Sequence, residues 1–197
     1  MQIDTEHLHH WMQAIRQSNN PMRTMDAFWS GQLKSKEWLI AELENLILNP
    51  VSIDINGGWV GVLASMLFQS KLSVTTIRSI DIDPHCEHTA NTMNQIESNE
   101  GRFRAVTGNM VNIRNDADLV INTSCEHITQ DDYDLWLSGL RHDAIIVLQS
   151  NNYDIPEHIR TAMSLDHFVE QSGLEKVLYK GELNLPLYDR FMIIGCK

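Results

Sequence analysis

The chain has 197 residues, 43% of them hydrophobic, which is enough for one buried core and near the upper size of a single ordinary domain. With 15 Lys plus Arg against 26 Asp plus Glu, its formal charge of −11 repels a phosphate backbone and makes nucleic acid an unlikely partner. Cys86, Cys125 and Cys196 are odd in number and widely spaced, which argues against a disulfide framework and a clustered zinc site and fits a reducing cytoplasm. No run approaches the length of a membrane span, and an N-terminus with Asp4, Glu6 and three histidines is not expected to be a secretory signal.

In chain order, Ile3, Leu8, Trp11, Met12 and Ile15 recur at helical spacing and predict a helix over 3–17 with one buried stripe. His7, His9 and His10 have no partner at ligand spacing and read as a solvated helix face. A polar break at 16–21 leads to Met25, Phe28 and Trp29. Ser35 reads as the N-cap of a second helix over 36–48, with Trp38, Leu39, Leu43, Leu46 and Ile47 inward and Asn49-Pro50 as its stop.

Val51 to Ile55 reads as a buried strand, Gly57 and Gly58 as a turn, and Val60 to Phe68 as a helix. Glycines at such a turn let backbone N–H groups approach a ligand, and the helix turns its positive end toward anything anionic. Asp54 is the informative residue, because a carboxylate at the end of a buried strand needs donors to satisfy it. A second strand, Val74 to Ile82, ends at Asp81, which stands where an acid can accept from the two hydroxyls of a ribose. Asp83-Pro84 begins a helix through Ile96, and His85, Cys86 and His88 in its first turns need no metal to explain them.

Arg102 to Thr107 predicts a third strand, followed by Gly108-Asn109-Met110. Asp118 to Asn122 predicts a fourth, ending in the polar run Asn122-Thr123-Ser124-Cys125-Glu126-His127. His127 has the side chain whose unperturbed pKa lies nearest neutrality, and Glu126 could orient it or hold an amine. A helix over 131–140 and a strand over 144–148 lead to Asn151, Asn152 and Tyr153, either hydrogen-bonding groups for a polar substrate or turn residues. A helix over 159–172 stopped by Gly173, then strands over 174–180 and 188–196, complete the chain.

The stretch Asp54-Ile55-Asn56-Gly57-Gly58-Trp59-Val60-Gly61, with Asp81 and Glu126-His127-Ile128, resembles the class I S-adenosylmethionine-dependent methyltransferases. Asn56 stands where that family has its first glycine, Gly61 falls one place late, and Asn109 replaces an acid that contacts adenine. The resemblance covers 51–197 and implies an α/β, doubly wound, Rossmann-like sheet of seven strands with an antiparallel last strand, in one methyltransferase-like domain. Residues 1–50 become a helical prefix whose Trp29 and 31–34 turn either cover the pocket and contribute to substrate choice or simply pack.

By position, the resemblance assigns Asp54, Asn56, Gly57, Gly58, Trp59 and Gly61 to the cofactor, with Asp81 on ribose and Ile82, Asn109 and Met110 near adenine. Asn122 and Thr123 border the sulfonium. Glu126 and His127 are the implied catalytic pair, or shape their loop, and Trp29, Asn151, Asn152 and Tyr153 are the substrate candidates. The implied reaction is in-line methyl transfer from S-adenosylmethionine to a small polar acceptor, with no metal. Two alternatives stay open. One is a nicotinamide-dependent oxidoreductase, because Asn56, Gly58 and Gly61 keep the spacing of a dinucleotide turn. The other is a noncatalytic cofactor-binding module on the same fold.

Overall fold

In the computed structural model, which describes residues 4–46 and 50–197, α1 (Thr5–Gln17) begins at Asp4, whose carboxylate accepts from Glu6 N–H at 2.8 Å. Ile3, Ile47, Leu48 and Asn49, which figure in the predicted helices, lie outside the described residues. The buried side of α1 is His7, Trp11 and Ala14, whereas Leu8 and Met12 are 40% and 46% exposed, so the predicted stripe is rotated. Polar anchors set the rotation: His7 Nε2 meets the buried Glu97 at 3.0 Å, and Trp11 Nε1 donates to Ser65 Oγ at 2.9 Å. His7 therefore belongs to an internal contact and not to a solvated face.

Pro21 starts a short α2 (Pro21–Asp26), where its missing N–H is no loss. Helix α3 (Ser30–Asn45) starts well before the predicted cap. Ser35 is buried inside it and donates to Gln149 Oε1 at 2.9 Å, while Leu39 and Leu43 face the core as expected. The 31–34 stretch is thus helix and not a turn.

The sheet comprises β1 (Ser52–Asn56), β2 (Thr76–Asp81), β3 (Phe103–Thr107), β4 (Leu119–Asn122), β5 (Ile145–Asn151), β6 (Lys176–Asn184) and β7 (Asp189–Cys196), in the spatial order β3-β2-β1-β4-β5-β7-β6. β1 to β5 pair in parallel, and β7 runs antiparallel between β5 and β6. This is the seven-stranded Rossmann-like sheet with an antiparallel last strand. Its helices are α4 (Val62–Phe68), α5 (Pro84–Met93), α6 (Gln95–Asn99), α7 (Gln130–Ser138) and α8 (Leu165–Ser172). None of the helices among the described residues is long and apolar enough to cross a membrane.

Strand alternation divides the core. Ile53, Ile55 and Ile77 pack with Leu39, Leu63, Leu67 and Met93 on the side of α3, α4 and α5. Val120, Ile146, Leu148 and Ile193 pack with Tyr133, Trp136 and Phe168 of α7 and α8 on the other. The second face of β1 is polar, with Ser52, Asp54 and Asn56. There the β3–β4 connection supplies only a 3-10 turn, Met110–Asn112, and each polar residue finds a partner of its own.

Between β5 and α8 the chain is irregular, although a helix is predicted from Ile159. The N–H groups of Ile159 and Arg160 donate to Glu126 O at 2.9 and 3.1 Å, and that of Ala162 donates to Asn151 O at 3.0 Å. Amides engaged in this way cannot build a helical ladder, so α8 waits for its Ser164 cap.

Candidate functional site

A cavity of about 620 Å³ opens at the carboxyl ends of β1, β2 and β4, where doubly wound sheets take their ligands. Gly57, Gly58 and Trp59 form part of its wall. Gly57 and Gly61 have φ of 69° and 83°, and Trp59 shares the left-handed region at 49°. At Gly58 a Cβ would lie 1.9 Å from Ser79 Oγ, and at Gly61 one would lie 2.6 Å from Asn94 Nδ2, so both glycines are required by packing against β2 and α5. The amides of Gly58, Trp59 and Gly61 all donate within the protein, to Ile80 O, Asp81 Oδ2 and Gly58 O. These three are not offered to a ligand, contrary to the expectation for a glycine turn.

Asp81 is on the wall. Its Oδ2 accepts from Trp59 N–H at 2.8 Å and its Oδ1 from Asp83 N–H at 3.0 Å, which locks the carboxylate at the end of β2. Asp83 caps α5 through His85 N–H and pairs with Arg23, drawing α2 onto the rim. Ile82, 70% exposed, and Met110 add apolar surface. Asn109 also lines the cavity, but its Oδ1 caps the 3-10 turn by accepting from Val111 N–H at 3.1 Å. Asn122 and Thr123 follow on the wall, Asn122 Nδ2 donating to Met110 Sδ and its Oδ1 accepting from Ser124 N–H.

Asp54, Asn56 and Gly61 are not part of the wall. Arg78, the neighbour of Asp54 in register on β2, grips its carboxylate through Nε and Nη2 at 2.8 and 2.6 Å. The pair raises the pKa of the Arg78 guanidinium. Asn56 is fully buried and donates to Asn115 Oδ1 at 3.1 Å. The partners of these two residues are structural, Arg78 donating to Asp54 and Asn115 accepting from Asn56.

Trp29, 66% exposed, Asn151, Asn152 and Tyr153 also lie off the wall. β5 runs on through Asn151, so the polar cluster ties into its neighbours. Asn151 Nδ2 donates to Glu126 Oε1 at 2.6 Å, Asn152 exchanges hydrogen bonds with Asp189, and Tyr153 packs on Tyr188 at 5.4 Å between ring centroids.

Glu126 and His127 do face the cavity. Glu126 is 3% exposed; its Oε1 accepts from Asn151 and, at 3.2 Å, from Arg190 Nη1, while its Oε2 is buried without a hydrogen-bond partner among the described residues. Arg190, itself buried in β7, also donates through Nη2 to Thr123 O and through Nε to Gln149 Oε1. Lys36 reaches the same wall from α3; among the described residues its Nζ donates only to Gln32 O and Oε1, at 3.3 and 2.8 Å. Burial, reinforced by the charge of Arg190, pushes the Lys36 ammonium down to about 7.

The His127 Nδ1 position lies 3.0 Å from Glu157 O, and that of His158 lies 2.7 Å from Tyr153 O. A carbonyl only accepts, so each Nδ1 carries a proton, and in the neutral ring the lone pair is on Nε2. The two rings stand 4.7 Å apart at 78°. One ligand atom from each of Glu126, His127 and His158 lies within 4.8 Å of the others.

Gln32 lies within the 31–34 stretch read as a cover for the pocket, whereas Arg23, Lys36, Arg190 and His158 are absent from the sequence prediction. Lys36 carried a signal, since it precedes Leu39, Ile40 and Leu43 on the inward stripe of its helix. Arg190 and His158 carried none, because only the fold of distant segments brings them here.

No protein-family model matches the chain, and no curated protein matches its sequence. Solved structures do match. The N-methyltransferase NodS from Bradyrhizobium japonicum WM9, in complex with S-adenosyl-L-homocysteine, superposes with a TM-score of 0.67 at 11% identity over 95% of this chain and 98% of that one. Magnesium protoporphyrin IX methyltransferase (ChlM) from Synechocystis PCC 6803, with the same ligand bound, gives 0.67 at 13% over 96% and 94%. The pyocyanin biosynthetic protein PhzM gives 0.66 at 13% over 95% and 61%. Strand order, the antiparallel β7 and these likenesses agree: the chain has the fold of the class I S-adenosylmethionine-dependent methyltransferases, the fold in which NodS holds S-adenosyl-L-homocysteine and ChlM holds that product or S-adenosylmethionine.

Proposed function

We propose that the chain is an S-adenosylmethionine-dependent methyltransferase that acts on a small polar acceptor by in-line transfer. The observation that carries this reading is Asp81, a carboxylate locked by two backbone N–H groups on the wall of a cavity of about 620 Å³, at the end of β2. Its remaining lone pairs suit two adjacent ribose hydroxyls. Ile82 and Met110 suit a purine face, and Lys36 lacks a carboxylate that an amino-acid group would supply.

The cofactor, when bound, supplies a methyl group on a positively charged sulfur. That methyl would pass to the acceptor's lone pair, with the carbon–sulfur electron pair left on sulfur. The protein's part is alignment and exclusion of water, with no covalent nucleophile. Cys125, fully buried with its thiol pushed up to about 12 by that burial, is unsuited to be one. Glu126 Oε2 and the Nε2 lone pair of His127 are the groups that hold or activate the acceptor.

The prefix, residues 1–50, covers the site through Arg23, Ala27, Gln32 and Lys36. A charge of −11 favours a small molecule over nucleic acid, and the whole chain acts as one domain in the cytoplasm. Titration calorimetry with S-adenosylmethionine, its demethylated product, NAD and NADH tests the reading. The two sulfur ligands bind more tightly than the nicotinamides; tighter binding of NAD overturns it.

A further inference from the structure

We infer that Glu126, His127 and His158 form a binding site for one divalent first-row transition-metal ion at the edge of the cavity. The site stands on geometry alone; its use in holding an oxygen acceptor rests on the methyltransferase reading above.

One ligand atom of each residue lies within 4.8 Å of the others, so small shifts that keep both Nδ1 positions on their carbonyls bring them to the roughly 3–3.5 Å spacing of donors about 2.0–2.2 Å from a shared ion. Each histidine is oriented as a ligand before any ion arrives, because an Nδ1–H held by a backbone carbonyl fixes the tautomer and turns Nε2 into the donor. Glu126 is oriented in the same way. Asn151 and Arg190 both occupy Oε1 and leave Oε2, buried and without a partner, as the coordinating atom. His158 is brought here by the backbone, since the N–H groups of Ile159 and Arg160 both donate to Glu126 O.

Imidazole and carboxylate together select Zn²⁺, Co²⁺, Mn²⁺ or Fe²⁺ over Mg²⁺ and Ca²⁺, which prefer oxygen alone. Three protein ligands leave positions open, as in catalytic rather than structural sites. Arg190 already balances Glu126, so the ion adds net positive charge and favours an oxygen ligand that ionises. A coordinated hydroxyl of the acceptor loses its proton to solvent and keeps the lone pair for attack on the methyl carbon.

The test uses the full chain freed of metal by chelation and titrated with ZnCl2 by calorimetry and with CoCl2 by visible absorption. One equivalent binds, and His127→Asn and His158→Ala each weaken binding at least about 10-fold. The double variant His85→Ala/His88→Ala, at two exposed histidines away from the site, leaves it unchanged. Melting curves and S-adenosylmethionine titrations of each variant report folding. Ion binding that survives both His127→Asn and His158→Ala, or is lost in the His85/His88 control, overturns the site. A wild-type chain that takes S-adenosylmethionine but no ion overturns the site and leaves the methyltransferase reading standing. Ion binding without cofactor binding supports the site and overturns that reading instead.

Discussion

Arg78 holds Asp54 by two parallel hydrogen bonds, at 2.8 and 2.6 Å, across neighbouring strands and away from the cavity. The acid that opens the glycine motif is thereby a structural residue. Asp54→Asn is expected to lower stability by about 1–2 kcal/mol, a moderate loss because Arg78 is partly exposed, and to change cofactor affinity less than about two-fold. Urea melts and calorimetry on the same variant check both halves. A ten-fold loss of affinity would restore Asp54 to the site.

Asp81 carries the opposite expectation. Asp81→Asn keeps one acceptor oxygen for the turn but loses a charged contact to ribose, so affinity for S-adenosylmethionine falls by roughly 1.5–3 kcal/mol while the fold persists. Binding and melting are measured together. Unchanged affinity in the folded variant would reduce Asp81 to a lock for the turn.

Arg190 is the counter-charge of Glu126, both of them buried. Arg190→Met leaves the carboxylate unpaired and is expected to destabilise by about 3–5 kcal/mol, and the double variant Arg190→Met/Glu126→Gln recovers most of it. Denaturant melts of the two singles and the double close the cycle. Additive losses would show that the two side chains act independently.

Lys36 predicts a pH dependence. Its folded pKa, about 7, lies below the unfolded value of 10.5, so between those values the unfolded chain binds a proton that the folded one does not. Stability from this residue therefore rises with pH above about 7, by up to about 1.4 kcal/mol per pH unit. The stability of the wild type relative to Lys36→Met should climb from pH 7 to pH 9. A flat difference would place the ammonium in contact with water or with a carboxylate.

Burial pushes the thiols of both Cys86 and Cys125 up to about 12, whereas Cys196 is the one cysteine that is partly exposed. A thiol-disulfide exchange reagent at pH 8 should modify one cysteine rapidly and the other two only on unfolding. Peptide mapping identifies which. Rapid labelling of Cys125 would mean that the segment over Glu126 opens readily.

The strands were legible because β-branched runs end in polar turns, and the sheet they form followed from the family resemblance, to which the terminal hairpin contributed. Asp81 was legible for the same reason: it ends a strand whose apolar residues stop there. Glu126 and His127 sat in the polar run after an apolar strand. What the sequence hid is what depends on contacts between distant segments. His7 turns inward for Glu97, Asp54 finds Arg78, and Asn151 serves Glu126 rather than a substrate. Periodicity reports which face of an element is apolar, not which polar atom awaits a buried side chain. The helix predicted over 159–172 lost its first turns for that reason, since the amides of Ile159 and Arg160 were claimed by Glu126 O, while Leu165–Ser172 formed as expected.

The place of β7 between β5 and β6 has a consequence for how the molecule comes into being. On the ribosome the strands that hold Asp81 emerge long before the strand that carries Arg190. A nascent chain can assemble the Asp81 end of the cavity early. Until β7 arrives, Glu126 lacks its cation, and the flank of β5 presents unpaired N–H and C=O groups to any neighbour. The insertion of β7 therefore gives Glu126 its counter-charge and seals that flank in one step, so a chain whose cavity wall is complete is also one guarded against joining its sheet to another.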